Sequence, residues 1–338
     1  MNSAARSKGA SSLRIVFCGT PQFAVPALKR LLAIPDFQLL AVITQPDRPR
    51  GRGQEVSLSP VKGVALAEKI PVHQPENVRA PEVQQLLEEL APDVIVIIAY
   101  GQIIPGRLLA IPRHGWINLH ASLLPKYRGA APINWAIANG ETRTGLATMR
   151  INVGVDSGDI LLQREIGIGP AETAPELAAR MSEAGAPLME ETLRGLAAGK
   201  IPGRPQDHTQ ATLAPMLKKE DGRIDWTRPA REIYNRMRGF APWPGAYTTF
   251  RGQTCHLWAE PVTQAASPPA EVRGNPSFNA APTVPGTLFG TKSQWFVSCG
   301  RGSFLQVHSV KLEGRKQVSI AEFVNGARLQ SGERFVGA

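Results

Sequence analysis

A doubly wound, mostly parallel α/β sheet followed by a small β-barrel is the fold class predicted by this 338-residue sequence. Three observations carry the expectation. Apolar strand-like runs alternate with amphipathic helical stretches over the first two hundred residues, the order that yields a parallel sheet with helices on its faces. One run, "DVIVIIAYG" at 93–101, stays apolar almost without interruption, as a strand covered on both faces must. Past residue 220 the pattern shortens to regularly spaced, alternating strands with turns between them, which suits a small barrel.

Taken in order, residues 1–12, "MNSAARSKGASS", are small and polar and read as a loose tail. "LRIVFCG" is the first strand, and "TPQFAVPALKRLLA" the first helix, with Thr20 expected as its cap and Pro21 at its first position. "FQLLAVIT" is the second strand. A polar loop leads to "SPVKGVALAEK", a helix with a Ser-Pro start, and "PEVQQLLEEL" is a further amphipathic helix. "GWINLHAS", "GLATMRIN" and "DILLQREIGI" are later strands, and "APELAARMSEAGAPLMEETLRGLAAG" is the closing helix of a domain at 13–200. "KIPGRPQDHTQATLAPMLKKEDG" is rich in Pro, Gly and polar residues, so 201–221 reads as a linker. The domain expected at 222–338 holds one helix, "PAREIYNRMRGF", and the strands "GAYTTF", "QTCHLWAEPV", "GTLFGT", "WFVSCG" and "SFLQVHSVKL". The proline-rich stretch 264–285 reads as a surface loop.

Composition removes several classes. A hydrophobic fraction of 43% with 20% charged residues is neither fibrous nor disordered. The longest apolar run, "VIVIIAYGQII", is too short to span a bilayer, and no signal-peptide pattern opens the chain, so a soluble, cytoplasmic protein is expected. Three scattered cysteines show no CxxC spacing and imply neither disulfides nor a zinc site. Net charge is +10, and from residue 220 onward 14 Lys and Arg face 9 Asp and Glu, which admits a polyanionic partner.

The chemistry concentrates in "WINLHASLLP". Asn118 and His120 stand two apart in an otherwise apolar strand, so both point to one face. They lie at its carboxyl end, where ligands bind in open parallel sheets, with Tyr100 and Gly101 at the end of another strand. Asp156, in the Gly-rich "INVGVDSG", is a third polar group, though such residues often only close turns. An amide can hold an oxyanion, an imidazole can move a proton, and a carboxylate can orient the imidazole. No covalent nucleophile is evident, since Ser122 lacks the G-x-S-x-G elbow, so the set suits direct group transfer. "FCGTPQF" stands where a dinucleotide fingerprint would and lacks its glycine pattern, which disfavours hydride transfer. The loop "TQPDRPRGRG" places Arg48, Arg50 and Arg52 among prolines and glycines, forks well matched to phosphates as well as to plain solvation.

"FCGTPQFA", "TQPDRPRGRG", "SPVK", "AYGQIIP", "INLHASLLPKYRGAAPI" and "VDSGDIL" occur in an order and spacing that resembles the methionyl-tRNA formyltransferase family, from about residue 13 to the end. The likeness is weakest across 200–220 and 264–285, and the latter is longer than the family usually has. The resemblance implies a Rossmann-like formyltransferase fold with a C-terminal OB-type barrel, and formyl transfer from 10-formyltetrahydrofolate to methionyl initiator tRNA. It implies Asn118, His120 and Asp156 as catalytic residues, and Ser122, Leu123, Leu124 and Pro125, with Tyr100 and Gly101 nearby, as the folate lining. Arg52 matches the arginine the family sets against the tRNA acceptor end, with Arg48 and Arg50 beside it. No metal is implied, and a monomer is expected. Formyl transfer to a sugar amine or a purine precursor, hydrolysis of the formyl donor, and a non-catalytic RNA-binding role are the competing readings.

Overall fold

The computed structural model describes residues 12–50, 55–262, 284–290 and 294–336. The tail at 1–11, Arg52 and nearly all of the 264–285 stretch therefore lie outside the described residues. Two compact units make up the chain, the first from Met1–Pro132, Arg143–Gly167 and Glu176–Pro215.

In the first unit the chain runs through β1 (Leu13–Gly19), α1 (Val25–Leu32), β2 (Phe37–Ile43), the short β3 (Pro49–Arg50) and β4 (Glu55–Val56), α2 (Pro60–Ala67), β5 (Val72–His73) and α3 (Pro81–Leu90). It continues through β6 (Val94–Ile98), α4 (Gly106–Leu109), β7 (Trp116–His120), β8 (Arg143–Arg150), β9 (Ile160–Gly167) and α6 (Ala174–Ala197); α5 (Pro132–Ala138), between β7 and β8 in the chain, belongs to the second unit in all but its first residue. The seven-stranded sheet has the order β5-β2-β1-β6-β7-β8-β9. Its first five strands are parallel, and β8 runs opposite to them, pairing antiparallel with both β7 and β9. From β1 the chain builds outward to β5 and then crosses to β6 on the other side of β1. The winding direction thus reverses between β1 and β6, the crevice where open α/β sheets take ligands. All five residues of β6 are buried, as its unbroken apolar run requires.

One local expectation fails. Thr20 does not cap the first helix: a 3-10 turn at Gln22–Ala24 intervenes, and α1 starts at Val25 with no side-chain cap. The Thr20 hydroxyl is instead engaged across the sheet edge, accepting from the Gln45 N–H at 3.3 Å and from Thr44 Oγ1 at 3.4 Å. Ser59 does cap α2, accepting from the Lys62 N–H at 3.1 Å.

The second unit combines Ile133–Thr142, Ile168–Pro175 and Met216–Ala338. It carries α7 (Ala230–Gly239), β10 (Tyr247–Phe250), β11 (Gln253–Pro261), β12 (Leu288–Gly290), β13 (Trp295–Ser298), β14 (Phe304–Leu312), β15 (Val318–Ser319) and α8 (Ile320–Ala327). The strands form an antiparallel sheet in the order β10-β11-β14-β13-β12, with β15 on β14. Its core is aromatic: Trp226 stacks on Phe335 at 5.7 Å, and Phe250 meets Phe323 edge-on at 5.2 Å. Helix α8 is a second helix within 222–338, where the sequence pattern suggests only one, and it opens on a reciprocal capping box of Ser319 and Glu322. All three cysteines are buried, and burial pushes the Cys255 and Cys299 thiols up to about 12. Among the described residues no helix is long and apolar enough to cross a membrane.

Candidate active site

Strand β7 ends the parallel part of the sheet, and Asn118 and His120 share one of its faces. The partner strand β8 runs antiparallel, in a register that sets Asn118 opposite Met149 and His120 opposite Ala147. The loop after β8, residues 151–159, folds back over that face and brings Asp156 to both side chains. Asn118 Nδ2 donates to Asp156 Oδ1 at 3.4 Å, and Asp156 Oδ2 lies 3.6 Å from His120 Nδ1. The three residues predicted as a set are therefore brought together.

Backbone groups of the turn after β7 complete the arrangement. His120, only 5% exposed, donates from Nε2 to the Tyr127 carbonyl at 2.9 Å. A carbonyl can only accept, so Nε2 carries a proton, and Nδ1 faces Asp156. The Gly129 N–H donates to Asp156 Oδ2 at 2.9 Å. Asp156 itself sits at φ 44°, in the left-handed region that a residue with a Cβ enters at a cost of about 1–3 kcal/mol. Gly129, at φ +119°, has no room for a side chain, because a Cβ would lie 2.7 Å from the Ala214 carbonyl oxygen. The "RG" of "KYRGAAP" was the sequence signal for this turn, readable only once its backbone is known to hold His120 and Asp156.

The other predicted residues fall as follows. Ser122 is fully buried and donates from Oγ to the Lys126 carbonyl at 2.6 Å, closing the turn. Leu123 packs its side chain against the Gly145 backbone, and Leu124 is buried, its carbonyl accepting from Gln163 Nε2 at 2.9 Å. Pro125 follows Leu124 through a cis peptide bond. The Tyr100 ring is buried in the core cluster with Val16, Cys18 and Ile95, so this residue faces the strand edge through its backbone. Gly101 turns the chain at φ +89°. Arg48 is exposed and stands 3.8 Å from Glu76, Arg50 contributes backbone to β3, and Arg52 is outside the described residues.

The start of the arginine loop is tied down. Lys62 Nζ bonds Asp47 Oδ2 and donates to Gln74 Oε1 at 2.6 Å. Gln74 Nε2 donates to the Gln45 carbonyl at 2.9 Å and to Asp47 Oδ1 at 3.1 Å. Gln45 in turn donates from Nε2 to the Tyr100 carbonyl at 2.9 Å, joining this segment to the end of β6. The Lys62 hydrogen bond, helped by Gln74, holds the Asp47 carboxyl below its ordinary range.

A buried imidazole with a half-buried amide and carboxylate at the carboxyl end of β7 is an arrangement suited to a group-transfer enzyme. The family model "Formyl transferase" matches residues 13–193, and "Formyl transferase, C-terminal domain" matches residues 216–328. A methionyl-tRNA formyltransferase of Solibacter usitatus is 51% identical over 325 residues, covering 95% of this chain and 98% of the relative. The Geobacter sulfurreducens protein of that name is 48% identical, covering 96% and 97%. The chain belongs to the methionyl-tRNA formyltransferase family. Among solved structures, the N-formyltransferase from Helicobacter canadensis superposes with a TM-score of 0.62 at 17% identity, over 87% of this chain and 98% of that one. HypX from Aquifex aeolicus, in complex with tetrahydrofolic acid, gives 0.59 at 16% identity over 96% of this chain and 49% of that one. At these identities the likeness is one of fold.

Proposed function

We propose that this protein transfers the formyl group of 10-formyltetrahydrofolate to the α-amino group of the methionine carried by initiator tRNA. The convergence of Asn118, His120 and Asp156 on one face of β7 is the observation that carries the reading. The amine lone pair attacks the formyl carbon, giving a tetrahedral centre whose oxyanion takes an N–H of Asn118. The amine proton passes to His120 Nδ1, since Nε2 already holds one, and the imidazolium is balanced by Asp156. Collapse breaks the bond from the formyl carbon to the folate nitrogen, which receives that proton, leaving tetrahydrofolate and the formylated aminoacyl-tRNA.

The folate lies along Ser122, Leu123, Leu124 and Pro125 and the Tyr100–Gly101 strand end, which stand at the carboxyl edges of the neighbouring strands β7 and β6. Ile103 and Val155, apolar and well exposed on the loops beside them, suit an aromatic ring system. Arg48, Arg50 and Arg52 grip the tRNA near its acceptor end, and the basic second unit, an OB-type barrel, binds the tRNA body. In this reading 13–200 carries the chemistry, 222–338 carries tRNA binding, and the enzyme works in the cytoplasm as a monomer without a metal.

Transfer of the formyl group from 10-formyltetrahydrofolate to purified methionyl initiator tRNA tests the proposal, with uncharged tRNA, free methionine and an amino-sugar nucleotide as controls. Formylation confined to the aminoacylated tRNA is the expected result. Folate binding with transfer to the amino sugar alone overturns the acceptor.

A further inference from the structure

Residues 204–214 fall within a stretch whose composition reads as a linker, yet they are hydrogen-bonded into the first unit. Arg204 pairs with Ile160 through two backbone bonds of 2.9 Å, and Ala214 and Arg128 are joined by one of 2.7 Å. Between these anchors lies Gln206, 6% exposed, with every polar valence of its amide directed inward. Its Nε2 donates to the carbonyls of Asp156 at 2.9 Å and Gly158 at 2.7 Å. Its Oε1 accepts from Arg128 Nε at 3.0 Å and Nη2 at 2.6 Å. Arg128, 8% exposed, also donates from Nη2 to His208 Nδ1 at 3.1 Å.

We infer that Gln206, with Arg128, is a positioning residue that sets the distance between His120 and Asp156. The inference rests on the roles proposed above for those two residues. Arg128 stands between Tyr127, whose carbonyl holds His120, and Gly129, whose N–H holds Asp156. Its side chain is locked to the amide that holds the backbone of the Asp156 loop. One amide–guanidinium pair thus joins the two loops that present the imidazole and the carboxylate. The Asp156 loop needs such a tie, because Asp156 is at φ 44° and Gly158 packs so closely on the Arg150 carbonyl that any Cβ there would collide with it. Buried polar groups whose partners are all supplied by protein rigidify the geometry they share.

Gln206→Glu is the discriminating variant. It keeps an acceptor for Arg128, and so the fold, but loses both N–H donors to the Asp156 loop. The expected result is a fall in kcat of about 10- to 100-fold, with KM for both substrates within about threefold, because a displacement near 1 Å costs rate more than binding. Gln206→Met, uncharged and of similar length, is expected to act in the same direction. The ring resonances of His120 in 15N-histidine spectra of the free enzyme should move in both variants toward those of Asp156→Asn. Unchanged His120 resonances with kcat within twofold of wild type overturn the inference. The spectra decide the matter even if the wild-type enzyme fails to formylate methionyl-tRNA, a failure that would overturn the proposed function instead.

Discussion

The two units bury polar groups for opposite ends. In the first, buried or nearly buried His120, Arg128, Asp156 and Gln206 hydrogen-bond to one another or to two short loops, and the bonds converge on one point at the sheet edge. In the second, buried hydroxyls close the sheet around an aromatic core. Trp226 Nε1 donates to Thr248 Oγ1 at 3.0 Å, and that hydroxyl donates to the Val336 carbonyl at 3.0 Å. Ser298 receives the Thr287 N–H at 3.0 Å and donates to the Val284 carbonyl at 2.8 Å. A buried polar group is informative by where its partners lead: toward a shared, partly accessible point in one unit, toward distant backbone in the other.

Substitutions can break this contrast from either side. His120→Ala is expected to lower the single-turnover transfer rate by about a hundred- to ten-thousand-fold, the range of a lost general base, while tRNA and folate binding persist. Rapid-quench kinetics would show it, and a rate within threefold of wild type removes His120 from the chemistry. Trp226→Ala acts on the other unit. Loss of the stacked ring against Phe335 should cost about 3–5 kcal/mol in chemical denaturation, with formyl-folate binding retained at 25 °C.

Two smaller effects sharpen the same comparison. Ser319→Ala removes the cap of α8 and should destabilise the protein by about 1 kcal/mol in urea melts, without change in kcat. Asp47 provides a pH signature on the first unit. Its folded carboxyl titrates below the unfolded value, so its contribution is complete above an unfolded pKa near ~3.9 and is lost as pH falls through the folded pKa. Wild type should therefore exceed Asp47→Asn in stability at pH 6, and the gap should close below about pH 4. A gap independent of pH assigns the effect to packing.

Much of the candidate site was legible in the sequence. A period of two puts Asn118 and His120 on one face, and their place beside "SLLP" marks the carboxyl edge of a sheet whose strands were plain from their apolar runs. Asp156 was legible as a polar residue in a Gly-rich loop, although the reach of that loop back over β7 follows from the antiparallel turn of β8. Thr20 was misread as a cap because a Thr-Pro pair has the same local form whether its hydroxyl serves the next helix or a loop 24 residues away.

By itself the sequence determined the alternation of elements, the buried faces, the capped start of α2, and the residue types of the site. These are local properties, set by side-chain period, backbone preference and cap chemistry within a few positions. Only the tertiary structure decided that Tyr100 turns its ring into the core, that Tyr127 and Gly129 serve the site through their backbones, and that Gln206 reaches Asp156 from 50 positions away. The reason is physical: a backbone carbonyl or N–H is the same at every residue. Which one meets a given side chain depends on strand order and loop path, which no local pattern encodes.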